Sequence, residues 1–91
     1  MNYFILETKG VDGVYNEKPV VIGNGFQSVQ AVWYALFQEI CRRLIENTVN
    51  SHFYIAEDIP DGRCVISLIF NSDGMKPSGI REVFNEVFSL K

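Results

Sequence analysis

The sequence predicts an α+β domain, a two-layer sandwich of ββαββα order in which one long and one shorter helix pack a mainly antiparallel four-stranded sheet. Three observations lead there. A long stretch in the middle of the chain carries apolar residues at helical spacing. Pairs of short runs rich in β-formers lie on either side of it, each pair interrupted by an Asp-Gly step. No repeat, low-complexity tract or Pro/Ser-rich linker divides the 91 residues, so residues 1–91 read as a single domain with one core.

The elements follow in order. "NYFILET" is rich in β-formers and ends at Lys9-Gly10, and "KPVVIG" is a second β-branched run. Between them Asp12-Gly13 suits the positive φ angles of a tight turn, and Pro19 fits the start of an edge strand. From about Phe26 to Asn47, Val29, Val32, Trp33, Leu36, Phe37, Ile40 and Leu44 form one apolar stripe. Tyr34, Gln38, Glu39, Arg42, Arg43 and Glu46 fall largely on the other side, and the two arginines suit the negative end of the helix dipole. "HFYIAED" and "CVISLIF" flank Pro60 and Asp61-Gly62 as a second hairpin. After the polar loop "NSDGMKPSG", Ser78 caps a final helix striped by Ile80, Val83, Phe84, Val87 and Phe88.

Composition narrows the function. With 47% hydrophobic and 21% charged residues the chain is neither disordered nor membrane-spanning. The N-terminus lacks the basic flank and long apolar core of a secretory signal, which predicts a cytoplasmic protein. Net charge is −3 and the eight basic residues are scattered, an arrangement that argues against nucleic acid as a partner. Cys41 and Cys64 have no CxxC or Cys/His spacing around them and read as reduced, buried apolar residues.

Gly23, Asn24, Gly25 and Ser28 form the one stretch that resembles a phosphate cradle, a glycine turn between a strand and a helix. Ser28 stands where the dinucleotide fingerprint needs a third small residue. The long helix pushes the acidic residues that end the following strand, Glu57 and Asp58, beyond the required spacing, and there is no Gly-Lys-Ser/Thr. The simpler reading is a change of direction in which Gly23 or Gly25 takes a positive φ angle and Asn24 or Ser28 caps the helix. An anion- or nucleotide-binding domain built on Gly23, Asn24, Gly25 and Ser28 is the alternative expectation, since helix N-termini attract anions.

Other chemistry is sparse, and no cofactor, metal or catalytic set is predicted. His52 and Asp58 share a strand face but stand roughly 20 Å apart at about 3.3 Å per residue, too far for an acid–base pair. Glu57, Asp58 and Asp61 crowd one turn, yet Glu57 and Asp58 point to opposite faces and the spacing is not that of a calcium loop.

The sheet itself is more informative. Cys64, Ile66, Leu68 and Phe70 alternate with Val65, Ser67 and Ile69, so the last strand is apolar on both faces. Phe4 and Leu6 likewise alternate with Tyr3 and Ile5. Two helices on one side leave the other side to be covered by a second copy, by another protein, or by one helix crossing over. The expectation is therefore a non-enzymatic protein-binding protein, a small acidic regulator or inhibitor that acts on a partner protein or pairs with itself as a homodimer. Tyr3 and Tyr54 are its candidate contact residues, and Glu57, Asp58 and Asp61 the charges that meet a basic partner patch. This build is similar to that of small acidic inhibitors encoded by phages and mobile elements, a likeness of class that rests on no motif.

Overall fold

The computed structural model describes residues 2–10, 14, 18–59, 63–76, 78–80 and 82. Four strands and a helix run in the order β1 (Tyr3–Lys9), β2 (Val20–Phe26), α1 (Val29–Glu46), β3 (Asn50–Glu57) and β4 (Cys64–Asn71). The strands form one sheet, β2-β1-β3-β4, with every neighbouring pair antiparallel. The expected antiparallel α+β sheet is therefore present, with β1 and β3 at its centre.

α1 lies over β1 and β2 and buries Val32, Trp33, Leu36 and Ile40, four positions of the predicted stripe. Ser28 is its N-cap: the Ser28 hydroxyl accepts the Ala31 N–H at 3.1 Å, satisfying an amide that the first turn leaves without an intrahelical partner. The helix closes at Asn47, whose N–H reaches the Arg43 carbonyl. Ile5 on β1, Phe53 and Ile55 on β3 and Phe70 on β4 complete the core from the sheet side. Ile80 also joins it; residues 78–80 are helical and the Ile80 side chain is fully buried. The rest of the expected last helix, with Val83, Phe84, Val87 and Phe88, lies outside the described residues, as do the turns at Asp12-Gly13 and Asp61-Gly62.

Two expectations are corrected. Gly23, Asn24 and Gly25 do not form a turn between strand and helix; they belong to β2. The partners Tyr3↔Phe26, Ile5↔Gly23 and Leu6↔Val21 show that β2 spends two more residues than β1 over the same span, at two bulges. Gly25 takes φ +79°, a conformation that costs a side-chain-bearing residue a clash with its own backbone. Gly23 has no such angle, but a Cβ there would come within 3.1 Å of the Phe26 ring, which folds back over it toward the core. Cys64 is the second correction. It is exposed, because β4 begins with an irregularity that pairs Cys64 with Ala56 on an outer strand.

Candidate functional site

The register sorts the sheet into two faces. Ile5, Phe53, Ile55, Ile66, Leu68 and Phe70 point toward α1. Phe4, Leu6, Val21, His52, Tyr54, Val65, Ser67 and Ile69 fall on the opposite face, which α1 does not cover. There Ile69 is 60% exposed, Val21 53% and Val65 38%, while Phe4, Leu6 and Tyr54 are half-buried. An apolar surface of this kind stays open to water at a cost unless something sits on it.

A polar group interrupts the apolar face. His52 Nε2 lies 2.5 Å from Ser67 Oγ, and the Tyr54 hydroxyl lies 2.8 Å from His52 Nδ1, with the two rings 4.0 Å apart. Pairing of Tyr54 with Ser67 and of His52 with Ile69 across β3 and β4 brings the three together. The arrangement orients the imidazole between two hydroxyls. A serine nucleophile also needs oxyanion donors and a recess for the reacting atoms. Three clefts among the described residues are lined by other side chains. What these three side chains provide is a set of hydrogen bonds within an apolar face.

The candidate contact residues do not all lie on this face. Tyr54 is on it. Tyr3 packs against the core on the α1 side, and Glu57, its partner across β1 and β3, is buried and bonded to Arg63 at 3.0 Å. Glu57 thus has its carboxylate engaged within the fold. Asp58 is exposed just beyond β3, its N–H bonded to the Asn2 carbonyl, and Asp61 lies outside the described residues. Asp58 shares a cleft of about 460 Å³ with Asn2, Tyr3, Phe4, Val21, Asn24 and Gly25. The carboxylate of Asp58 gives that cleft negative charge beside Asn24 and Gly25, and Ser28 is engaged in capping α1.

The most developed polar cluster was not singled out from the sequence. Glu7 on β1 is 5% exposed and accepts two hydrogen bonds from Arg43, at 2.5 and 2.8 Å, and one from the Ser51 hydroxyl at 2.6 Å. Arg43 also reaches Glu39 at 3.0 Å, so it faces inward and does not lie on the solvent side of the helix. Burial pushes the Glu7 carboxyl up, but the bonds from Arg43 and Ser51 and the Arg43 charge outweigh it and hold the group below its ordinary value. A cleft of about 530 Å³ opens beside this cluster, between the end of α1 and the start of β3. The signal was there: strand alternation puts Glu7 on the same side as Tyr3 and Ile5, and a charge on an inward position demands a partner.

Among the described residues no three His, Cys, Asp or Glu side chains converge as a metal site, and no helix is long and apolar enough to cross a membrane. Comparison of the chain with protein-family models, with curated proteins and with solved structures finds no match.

Proposed function

We propose that the chain is a non-enzymatic protein-binding protein, a small acidic cytoplasmic regulator or inhibitor that seats the open face of its sheet on a partner protein. One observation carries this reading: Val21, Val65 and Ile69 are exposed beside half-buried Phe4, Leu6 and Tyr54 on the face turned away from α1. Such a patch loses water-exposed apolar area when it is covered, and the His52–Tyr54–Ser67 group adds directional hydrogen bonds in its midst. Asp58 at the end of β3 is the exposed charge placed to meet a basic partner rim. The same reading has the chain end in a shorter second helix on the α1 side, for which buried, helical Ile80 is the support. No observation favours the anion- or nucleotide-binding alternative, because Gly23 and Gly25 are held in a strand and Asp58 stands at the adjoining cleft.

The test compares capture by the unaltered chain with capture by the Val21→Lys and Ile69→Lys variants, and then measures binding of any selectively retained protein in purified form. Both residues are exposed, so the variants are expected to fold. Binding weakened by about tenfold or more in each variant is expected, as for residues near a contact centre. A set of captured proteins identical across the three would end the proposal.

A further inference from the structure

The two edges of the sheet are built differently. β2 begins after Lys18 and Pro19 and carries two bulges, devices that keep another strand from pairing with it. β4, the opposite edge among the described residues, is eight residues long with neither charge nor proline; it has one irregularity, between Cys64 and Ile66, and its ladder with β3 is regular from Ile66 to Asn71.

The direction of its outer hydrogen-bonding groups follows from the ladder. The Ser72 N–H bonds to the Val49 carbonyl, so in an antiparallel pair the even residues Ile66, Leu68 and Phe70 direct their amides and carbonyls to β3. The same groups of Ser67 and Ile69 point outward from the sheet. Their side chains are exposed on the open face.

We propose that β4 pairs antiparallel with β4 of a second copy of this chain, extending the sheet across a two-fold axis at Ser67. This goes beyond the face reading, since it uses the backbone edge rather than the covered patch. The sequence of β4 favours a second copy over an unrelated strand because it complements itself. With Ser67 opposite Ser67, Val65 meets Ile69 of the second copy and Ile69 meets Val65, so apolar residues oppose apolar ones on the open face. Ile66 and Leu68 oppose each other on the α1 side. Arg63, the charge nearest the strand, falls opposite Asn71, and no like charges meet. Outward amides and carbonyls face each other in this register, as isologous pairing requires.

Light scattering over a wide concentration range, combined with hydrogen exchange at single amides, tests the pairing. A reversible dimer is expected, with the Ser67 and Ile69 amides exchanging about tenfold or more slowly in concentrated than in dilute protein. Ser67→Pro removes an outward N–H without touching the ladder to β3, so it should weaken the dimer by at least about tenfold. Ser67→Ala, which keeps the amide and loses the hydroxyl, and Tyr54→Lys, on the open face, should both leave the dimer intact. A monomer at every concentration, a dimer that survives Ser67→Pro, or outward amides that exchange equally fast at both concentrations would each overturn the proposal. If Ser67→Pro fails to fold by circular dichroism, the exchange comparison on the unaltered protein decides. Loss of the dimer in Tyr54→Lys with retention in Ser67→Pro would place self-association on the open face instead, so the edge and face readings fail separately.

Discussion

Arg43, in the last turn of α1, grips the buried carboxylate of Glu7 on β1 with two hydrogen bonds, at 2.5 and 2.8 Å. The pair joins residues 36 positions apart and ties the end of the helix to a central strand. Its two sides are unequal. Glu7 is almost wholly out of water, whereas Arg43 keeps 23% of its side chain exposed.

Removing the arginine should therefore hurt more than a surface pair would. Arg43→Met strands a carboxylate that keeps only Ser51 from this cluster, and a loss of about 2–4 kcal/mol is expected, somewhat below the range for a fully buried pair. Urea unfolding followed by the fluorescence of buried Trp33 would measure it. Glu7→Met combined with Arg43→Met should cost less than the sum of the two single changes. Strict additivity would mean that the two side chains do not act together.

The same cluster sets a dependence on acid. Although burial raises the Glu7 pKa, the Arg43 and Ser51 bonds and the Arg43 charge bring it below the ordinary 4.5. A carboxyl whose pKa is lowered on folding binds its proton more readily in the unfolded chain. Its stabilising contribution is complete above about pH 4.5 and is lost as pH falls from there through the folded-state value. Glu39, lowered chiefly by its bond from Arg42, acts in the same direction from a more exposed position. Unfolding midpoints measured from pH 7 downward should fall below about pH 4.5, and more gently in Arg43→Met. Parallel curves for the two proteins would remove Glu7 from the explanation.

Ser72, just after β4, is fully buried and closes the start of β3. Its hydroxyl donates to the Val49 carbonyl at 2.9 Å and accepts the Val49 N–H. Ser72→Ala leaves that N–H without its acceptor and should cost about 1–3 kcal/mol. Faster hydrogen exchange at the Val49 amide would accompany the loss. An unchanged midpoint would show that water replaces the hydroxyl.

The bulges of β2 depend on glycine in two different ways. Gly25→Ala forces a side chain into φ +79° and should cost about 1–2 kcal/mol. Gly25→Asn should cost less, since asparagine tolerates that region better. Gly23→Ala acts instead through the Phe26 ring, and its effect should diminish when Phe26 is shortened to Leu. Thermal unfolding of the four proteins separates the backbone cause from the packing cause.

Local patterns were legible wherever neighbouring residues alone decide the structure. The stripe through Val32, Trp33, Leu36 and Ile40 specified α1, because a 3.6-residue period puts those side chains on one side whatever they pack against. A cap was readable too, though from Asn24 or Ser28 alike; the structure assigns it to Ser28. The glycines of β2 were not readable: Gly-Asn-Gly has the same composition in a turn as in a bulge. Only pairing with β1 distinguishes the two.

By itself the sequence determined the strand runs, the long helix and its cap, and the presence of more apolar strand surface than one helix layer covers. The tertiary structure decided which faces and edges those residues occupy. Alternation within β3 already placed His52 with Tyr54, but the register of Leu6 with Tyr54 and of Tyr3 with Glu57 put the two candidate tyrosines on opposite sides. Ser67 met His52 through the pairing of β3 with β4, and Glu7 met Arg43 through the docking of α1 on the sheet. The physical reason is range. Helix period, caps and alternation are set by bonds between near neighbours in the chain, whereas strand register is set by which long-range pairing buries the most apolar surface with every inward charge satisfied.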